Sequence, residues 1–415
     1  MDQAPQPRTC WLTERTTAVC RLTRADVAFL LAEHPTHVGV RPTGQPGQYR
    51  LTPGHHVGTI VCPTCRLVIR PKVPVSNLFT LLDPAAPLPV VEDHAAAVPG
   101  AEALDFLAAR LAHLLAEQAR AGLHRAYAER AQDGPYLQGR LDLPSQVREP
   151  VARKDRLHSR LSDLTVDVPC NQVARSTAEL VLASPLLGEP VRAALRHSLG
   201  AFAEVSTVEL SPEHLAAALP DTGDRQSREA YRLLLDLCRL LVEGLSPREA
   251  AGAVGGPAFL VDMERVFERY CTAACVSAFS APLIAGRGYT VAVQPLLPAS
   301  QPAPGQPDLL MRPDVTIDRA GRPLLVVDAK WKRLPGVPLV TPDVYQVLAY
   351  GTALGVTEVV LVYPGRRDRC WEFRLTHTPL RLTVRTLRVV GLREQCERSA
   401  RRLGRDLTTK AQRKR

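Results

Sequence analysis

The chain has 415 residues, more than one ordinary domain holds; at ~100–200 residues each, two or three domains are expected. With 45% hydrophobic and 23% charged residues it is globular, which excludes disorder as its general state, and no segment has the ~20 apolar residues of a membrane helix. The formal charge is +10, from 52 basic and 42 acidic residues, and favours an anionic partner such as nucleic acid.

In chain order, residues 1–98 read as a β-rich domain. Met1 to Thr9 carry neither the basic cluster nor the apolar stretch of a secretory signal, and ten cysteines in so long a chain read as reduced thiols, so the expected location is the cytoplasm. Short runs at Arg50–Thr52, Val57–Val61 and Leu67–Arg70 stand between Pro and Gly turns. Asp83–Pro89, with Pro99-Gly100 beyond, reads as a linker. Residues 99–255 read as an α-helical middle region. Leu104, Leu107, Leu111, Leu114 and Leu115 recur on one helical face. Further helices are expected from Asn171, as N-cap, to Leu182 and from Arg228 to Glu243, with a short extended piece at Leu137–Leu141.

After Gly255-Gly256-Pro257 the pattern turns mixed, and residues 256–390 read as an α/β domain. It holds a helix over Asp262–Phe279, a strand over Thr290–Pro295, a hairpin of Arg312–Ile317 with Pro323–Trp331, a helix at Pro342–Leu354 and a strand at Glu358–Tyr363. Residues 391–415 read as a basic, poorly anchored tail. Twelve basic and three acidic residues lie between Arg381 and Arg415, so nine of the ten net charges sit there and the rest is nearly neutral. Such a tail either holds DNA electrostatically or is a solvated end.

Chemistry concentrates on the hairpin. Asp328 and Lys330 are two residues apart on a strand and share a face, with Ala329 pointing oppositely. The turn Asp318-Arg-Ala-Gly321 lets the two strands pair and brings Asp314 beside Asp328. Two clustered carboxylates repel unless a cation lies between them, and oxygen donors of this kind suit Mg²⁺ or Mn²⁺. A neighbouring lysine then stabilises an attacking hydroxide or the charge building on a phosphate. The plain alternative is a surface hairpin with an exposed ion pair worth little. Gln346 and Tyr350 share a helical face at i, i+4. Glu268 stands beside an apolar stripe of Met263, Val266, Phe267 and Tyr270; it is either a solvated charge near Arg265 or Arg269, or an additional metal-site carboxylate. Asp308 repeats the Pro-Asp dipeptide of Asp314 but lies in a Pro/Gly/Gln-rich approach, which favours Asp314. Trp331 reads as core, and Arg70-Pro71-Lys72 as a phosphate or partner contact or a solvated strand end.

Arg312-Pro-Asp314 with Asp328-Ala-Lys330 resembles the PD-(D/E)XK nuclease arrangement, and Gln346 with Tyr350 resembles the QxxxY motif of RecB-like nucleases. With Phe267-Glu268, Val293-Gln294-Pro295, Val327–Trp331 and Asp343–Tyr350, and with Val57–Ile60, Leu67–Lys72, Asn77–Phe79, Gln138–Arg140 and Val166–Asn171 upstream, most of the chain resembles the McrC family. These are the nuclease subunits of McrBC-type, modification-dependent restriction systems, which act in defence against foreign DNA. The resemblance implies a multidomain α+β protein whose C-terminal α/β domain is PD-(D/E)XK, restriction-endonuclease-like. It implies an Mg²⁺-dependent DNA endonuclease activated by an McrB-like AAA+ GTPase, with the first domain as docking element. Metal ligation falls to Asp314, Asp328, the Ala329 carbonyl and Glu268; Lys330, Gln346 and Tyr350 complete the site. The partner accords with one absence: none of the six lysines follows a glycine, so no Walker A Gly-Lys-Ser/Thr occurs. The rivals are a stand-alone RecB-like repair nuclease and a catalytically inactive DNA-binding adaptor.

Cys62-Pro-Thr-Cys65 departs from the family pattern. It is half of a zinc site, for which His55, His56, Cys10 and Cys20 are candidate completions; two ordinary thiols on a hairpin turn is the plainer reading. Cys370 and Cys396 lack the spacing of an iron–sulfur cluster.

Overall fold

In the computed structural model the described residues are 8–72, 103–148, 156–219, 225–245, 257–281, 284, 286–299, 309–332, 334 and 342–413. Asn77–Phe79, the linker at 83–89 and Asp308 lie outside them. The chain divides into two units: Met1–Val57, Cys62–Gly100 and Asp262–Arg415 form the first, Gly58–Val61 and Ala101–Val261 the second. The N-terminal strands and the C-terminal α/β segment, expected as separate domains, thus share a unit. Pairing between distant stretches of chain leaves no local trace in composition or periodicity.

The first unit opens with β1 (Arg8–Thr13), β2 (Ala18–Arg21), α1 (Arg24–Glu33), β3 (Val38–Pro42), β4 (Gln48–Pro53), β5 (His56–Val61), which runs on into the second unit, and β6 (Cys65–Arg70). Thr23 and Asp26 form a capping box that starts α1. Strand β1 pairs in parallel with β6, while β2, β4 and β3 make an antiparallel sheet.

The second unit contains α2 (Ala103–Ala121), β7 (Ala126–Gly134), β8 (Arg140–Leu141), α3 (Leu143–Arg148), β9 (Leu157–Thr165), α4 (Pro169–Ala183), α5 (Glu189–Leu199), α6 (Pro212–Ala217), α7 (Arg225–Gly244) and β10 (Ala258–Asp262). The leucine face of α2 is buried as its spacing predicts, and α2 packs on α5 and α7. The region is not purely helical, because β7, β9 and β8 form an antiparallel sheet. Its β7 stretch, Ala-Tyr-Ala-Glu-Arg-Ala-Gln-Asp-Gly, offers helix formers and leaves Tyr127 exposed, so it lacks the half-buried alternation that marks a strand. Asn171 is likewise not the cap of α4, whose N-cap is Val168. It is fully buried, donates from Nδ2 to the carbonyls of His124 (2.9 Å) and Val166 (2.7 Å), and accepts the Tyr231 hydroxyl at 2.7 Å.

The first unit resumes with α8 (Met263–Phe279), β11 (Tyr289–Val293), β12 (Leu297–Pro298), β13 (Leu310–Met311), β14 (Val315–Arg319), β15 (Arg322–Ala329), α9 (Pro342–Ala353), β16 (Glu358–Gly365), β17 (Arg369–Arg374), β18 (Arg381–Arg388) and α10 (Arg393–Gln412). A six-stranded sheet runs in the order β11-β14-β15-β16-β18-β17, parallel across β15, β16 and β18 and antiparallel at both flanks. The expected β14–β15 hairpin is present; its turn residues Ala320 and Gly321 have φ of 50° and 74°, the left-handed pair that two-residue hairpins require. Both faces of the central strands are covered, which explains the unbroken apolar runs Leu324–Val327 and Val359–Tyr363. Val326, Val359, Leu361 and Tyr363 pack with Val347 and Tyr350 of α9.

The basic C-terminal segment is not a loose tail. Helix α10 buries Cys396, Ala400, Leu403, Leu407 and Ala411 along one stripe and packs on α8 and β18. Arginines at the remaining positions masked that stripe in the composition; Arg398, Arg401 and Arg405 face solvent. Gly404 permits the close approach, since a Cβ there would lie 2.5 Å from that of Ala278. Leu403→Ala should therefore cost about 2–5 kcal/mol in chemical denaturation followed by circular dichroism. A loss under about 0.5 kcal/mol is what an unanchored tail would give.

Candidate active site

The site lies where β15 runs out of the sheet. Asp328 and Lys330 share a face as strand alternation requires, and Lys330 Nζ lies 2.7 Å from Asp328 Oδ2. Asp328 is 1% exposed, whereas the Lys330 side chain keeps 22%, so the carboxylate is enclosed while its cation reaches solvent. The register Val315↔Val327 sets Asp314 opposite Asp328, and Asp314 Oδ2 accepts the Ala329 N–H at 2.7 Å. The Lys330 N–H donates to Val362 at 2.8 Å, which carries the parallel ladder one residue past β15 and fixes the backbone that bears the lysine.

Glu268 arrives on α8, whose N-cap Asp262 accepts the amides of Glu264 and Arg265. Phe267 packs on Trp331 with ring centroids 5.4 Å apart, so a core contact locks the neighbours of Glu268 and Lys330 together. The charge of Glu268 acts on both Asp314 and Asp328. Tyr350, buried on α9, accepts the Gln346 amide at 2.8 Å and donates to the Arg312 carbonyl at 3.3 Å. Gln346 is exposed above it. Asp314, Asp328, Lys330, Glu268, Gln346 and Tyr350 thus lie together at the end of β15.

Others join them that the sequence reading did not assign to the site. Gln294, directly after β11, has φ 46°; its N–H donates to the Asp314 carbonyl at 2.8 Å. Its side-chain amide donates to Glu268, and its carbonyl oxygen accepts Arg312 Nη2 at 2.7 Å. One residue thereby holds Glu268, Arg312 and the Asp314 backbone; the Gln-Pro dipeptide ending a strand was the available signal. Buried Asp343 takes Lys332 Nζ and the Tyr363 hydroxyl, each at 2.7 Å. Trp331 is core as expected, yet its indole N–H donates at 2.8 Å to Glu14, a buried carboxylate after β1. Lys72 lies 4.3 Å above the Trp331 ring and donates to its carbonyl at 3.2 Å, and Arg70 stacks on Trp11 at 3.8 Å. Lys72 and Arg70 are therefore engaged with aromatic rings, and Arg70 remains exposed at the end of β6.

Burial first, then the charges of Asp328 and Glu268, push the Asp314 carboxyl up to about 7. Burial also raises Asp328, against the pull of Lys330. For Lys330, burial works against the ammonium, but Asp328 and then Asp314 hold its pKa above the ordinary lysine value. The donor set fits a hard divalent cation: oxygen ligands, crowded, desolvated and mutually repelling. What the geometry defines is a carboxylate cluster with an attendant lysine at the end of a mixed sheet.

The chain belongs to the McrBC 5-methylcytosine restriction system component family, whose model matches residues 51–364. It is 23% identical over 185 residues to the Type IV methyl-directed restriction enzyme EcoKMcrBC of Escherichia coli (strain K12). That match covers 44% of this chain and 52% of the relative, so it spans about half of the relative's length. Among solved structures, a chain of the assembly of Thermococcus gammatolerans McrB AAA+ hexamers with bound McrC shares the fold with a TM-score of 0.53 and 18% identity, covering 96% of this chain and all of that one. A chain of the cryo-EM structure of the Thermococcus gammatolerans McrBC complex matches at a TM-score of 0.43 and 19% identity, over 66% of this chain and 88% of its own. Among the described residues no helix is long and apolar enough to cross a membrane.

A carboxyl raised in the fold costs stability when ionised. The cost sets in above the ordinary carboxylate range and is complete above about 7, the folded value of Asp314. In chelator, Asp314→Asn should melt several degrees above the parent at about pH 8, the gap shrinking as pH falls toward ~4. Scanning fluorimetry measures this; an equal shift at every pH would remove charge as the cause.

Proposed function

We propose that this chain is the DNA endonuclease subunit of an McrBC-type restriction system, with a PD-(D/E)XK site that hydrolyses phosphodiester bonds with Mg²⁺ or Mn²⁺. The observation that carries the reading is the convergence of Asp314, Asp328 and Glu268 with Lys330. Asp314, Asp328 and Glu268, with the Ala329 carbonyl, would hold the cation. A bound divalent cation supplies Lewis acidity toward phosphate oxygens and water.

The protein's own groups do the positioning. Lys330, kept protonated by Asp328, orients the attacking water and offsets the charge that builds on the phosphate. Gln294 keeps the Glu268 carboxylate turned toward the aspartates. Tyr350 and Gln346 secure the Arg312 backbone and present an amide at the opening for the DNA backbone. Exposed Arg398, Arg401 and Arg405 offer sequence-independent phosphate contacts.

The partner is an McrB-like AAA+ GTPase, a reading supported by family membership and permitted by the missing Walker A sequence. Choice of modified DNA rests with that partner, and the action is methyl-directed, as the name of the Escherichia coli relative states for that protein. Asp328→Asn and Lys330→Ala should each abolish cleavage of methylated DNA, a loss of at least ~10²-fold, while stimulation of the partner's GTP hydrolysis stays near the parental rate. The assay compares methylated with unmethylated DNA, with and without partner and GTP. Full cleavage by either variant overturns the site; full cleavage in Mg²⁺ alone makes the chain a stand-alone nuclease.

A further inference from the structure

Four thiols gather on the N-terminal strands, away from the carboxylate cluster. Cys10 lies on β1, Cys20 on β2, and Cys62 and Cys65 flank the turn from β5 to β6. All four are buried and none is in a disulfide. The Cys62 and Cys65 sulfurs lie within 4.8 Å of each other; Cys10 is within electrostatic reach of both, and Cys20 of Cys10 and Cys65, though the four sulfurs do not all come within 4.8 Å of one another. In the turn the Cys62 N–H donates to the Cys65 carbonyl at 2.8 Å, so both thiols leave one tight loop.

Asp26 stands next to this loop, its carboxylate oxygen within 4.8 Å of Cys62 and Cys65 Sγ. Its oxygens are already taken. Oδ2 accepts the Thr23 amide (2.9 Å) and the hydroxyls of Thr23 (2.7 Å) and Thr64 (2.6 Å), and Oδ1 accepts the Thr64 amide (2.9 Å). Thr64 is inside the Cys62–Cys65 turn, so Asp26 fixes the loop to the start of α1 and leaves ligation to sulfur.

We propose that Cys10, Cys20, Cys62 and Cys65 form a structural zinc site. Thiolates at the corners of a tetrahedron, with Zn–S about 2.3 Å, are the closed donor set of structural zinc. The two-residue loop supplies one pair, and neighbouring β1 and β2 the other. On binding, the four thiols release their protons and Zn²⁺ takes their place, leaving a dianionic centre. Arg8, on β1, lies within electrostatic reach of Cys10, Cys20 and Cys65 and offsets that charge. A sulfur ligand set selects zinc over Mg²⁺, so the two metals do not compete.

The consequence reaches the carboxylate cluster through β1 and β6. These strands pair from Arg8↔Cys65 to Thr13↔Arg70. The zinc would clamp one end of the pair; Glu14 and Lys72, just past the other end, hold Trp331.

The test is metal content of the full chain, purified without chelator from zinc-supplemented culture and read by plasma mass spectrometry. One zinc per chain is expected, kept in Asp314→Asn/Asp328→Asn, which empties the carboxylate site, and lost in Cys62→Ser/Cys65→Ser. Should the cysteine variant fail to fold, a mercurial titration of the parent chain reads the same point: zinc release should parallel modification of four thiols. Cobalt exchanged for zinc should show the intense thiolate-to-cobalt charge-transfer band. Absence of zinc, zinc that survives the cysteine substitutions or leaves with the aspartates, or a native disulfide among these four cysteines would overturn the site.

Discussion

Two carboxylates held against each other at the open end of a hairpin dictate the rest of this structure. Asp314 and Asp328 face one another because β14 and β15 pair in a fixed register, and burial denies them the water that would screen their repulsion. The chain answers with Lys330 on Asp328 and with the Ala329 amide on Asp314. These partners do not neutralise the cluster, since Glu268 adds a third carboxylate. Such an arrangement opposes folding, and in the proposed reaction a divalent cation relieves it.

Around that conflict the strands are buried and paired on both sides. Parallel strands covered on both faces fix the backbone of Asp328 and Lys330, and α9 and α8 press on the same strand. The N-terminal segment contributes through Glu14 and Lys72, which hold the indole that follows Lys330 by one residue. The residues that touch substrate in the proposed reaction therefore sit on strand and helix ends, where position is set by the ladder and not by a loop.

Much of this was legible in the sequence. Alternation placed Asp328 and Lys330 together, the Ala-Gly turn paired the strands, and the i, i+4 spacing joined Gln346 to Tyr350. Helical periodicity located α7 and α8 to within a few residues and the buried face of α2. What escaped has a common physical cause, the long-range partner. Glu14 and Trp331 meet across most of the chain, Gln294 acts through a left-handed backbone, and Asn171 is a buried tie where its residue type suggested a cap. The β7–β9 ribbon was hidden by its helix-forming residues, and α10 by arginines interleaved with its narrow apolar stripe. Charge counting exposed where the basic residues cluster; only packing showed that the cluster is the outer face of an anchored helix.

In the proposed site a divalent cation offsets the repulsion of the buried aspartates. Mn²⁺ binding to the full chain at about pH 8, followed by titration calorimetry or by loss of the free-ion paramagnetic resonance signal, tests it most directly. Binding to the parent chain should be saturable and should disappear in the Asp314→Asn/Asp328→Asn variant while the fold, read by circular dichroism, is retained. Undiminished Mn²⁺ binding in that variant would contradict it.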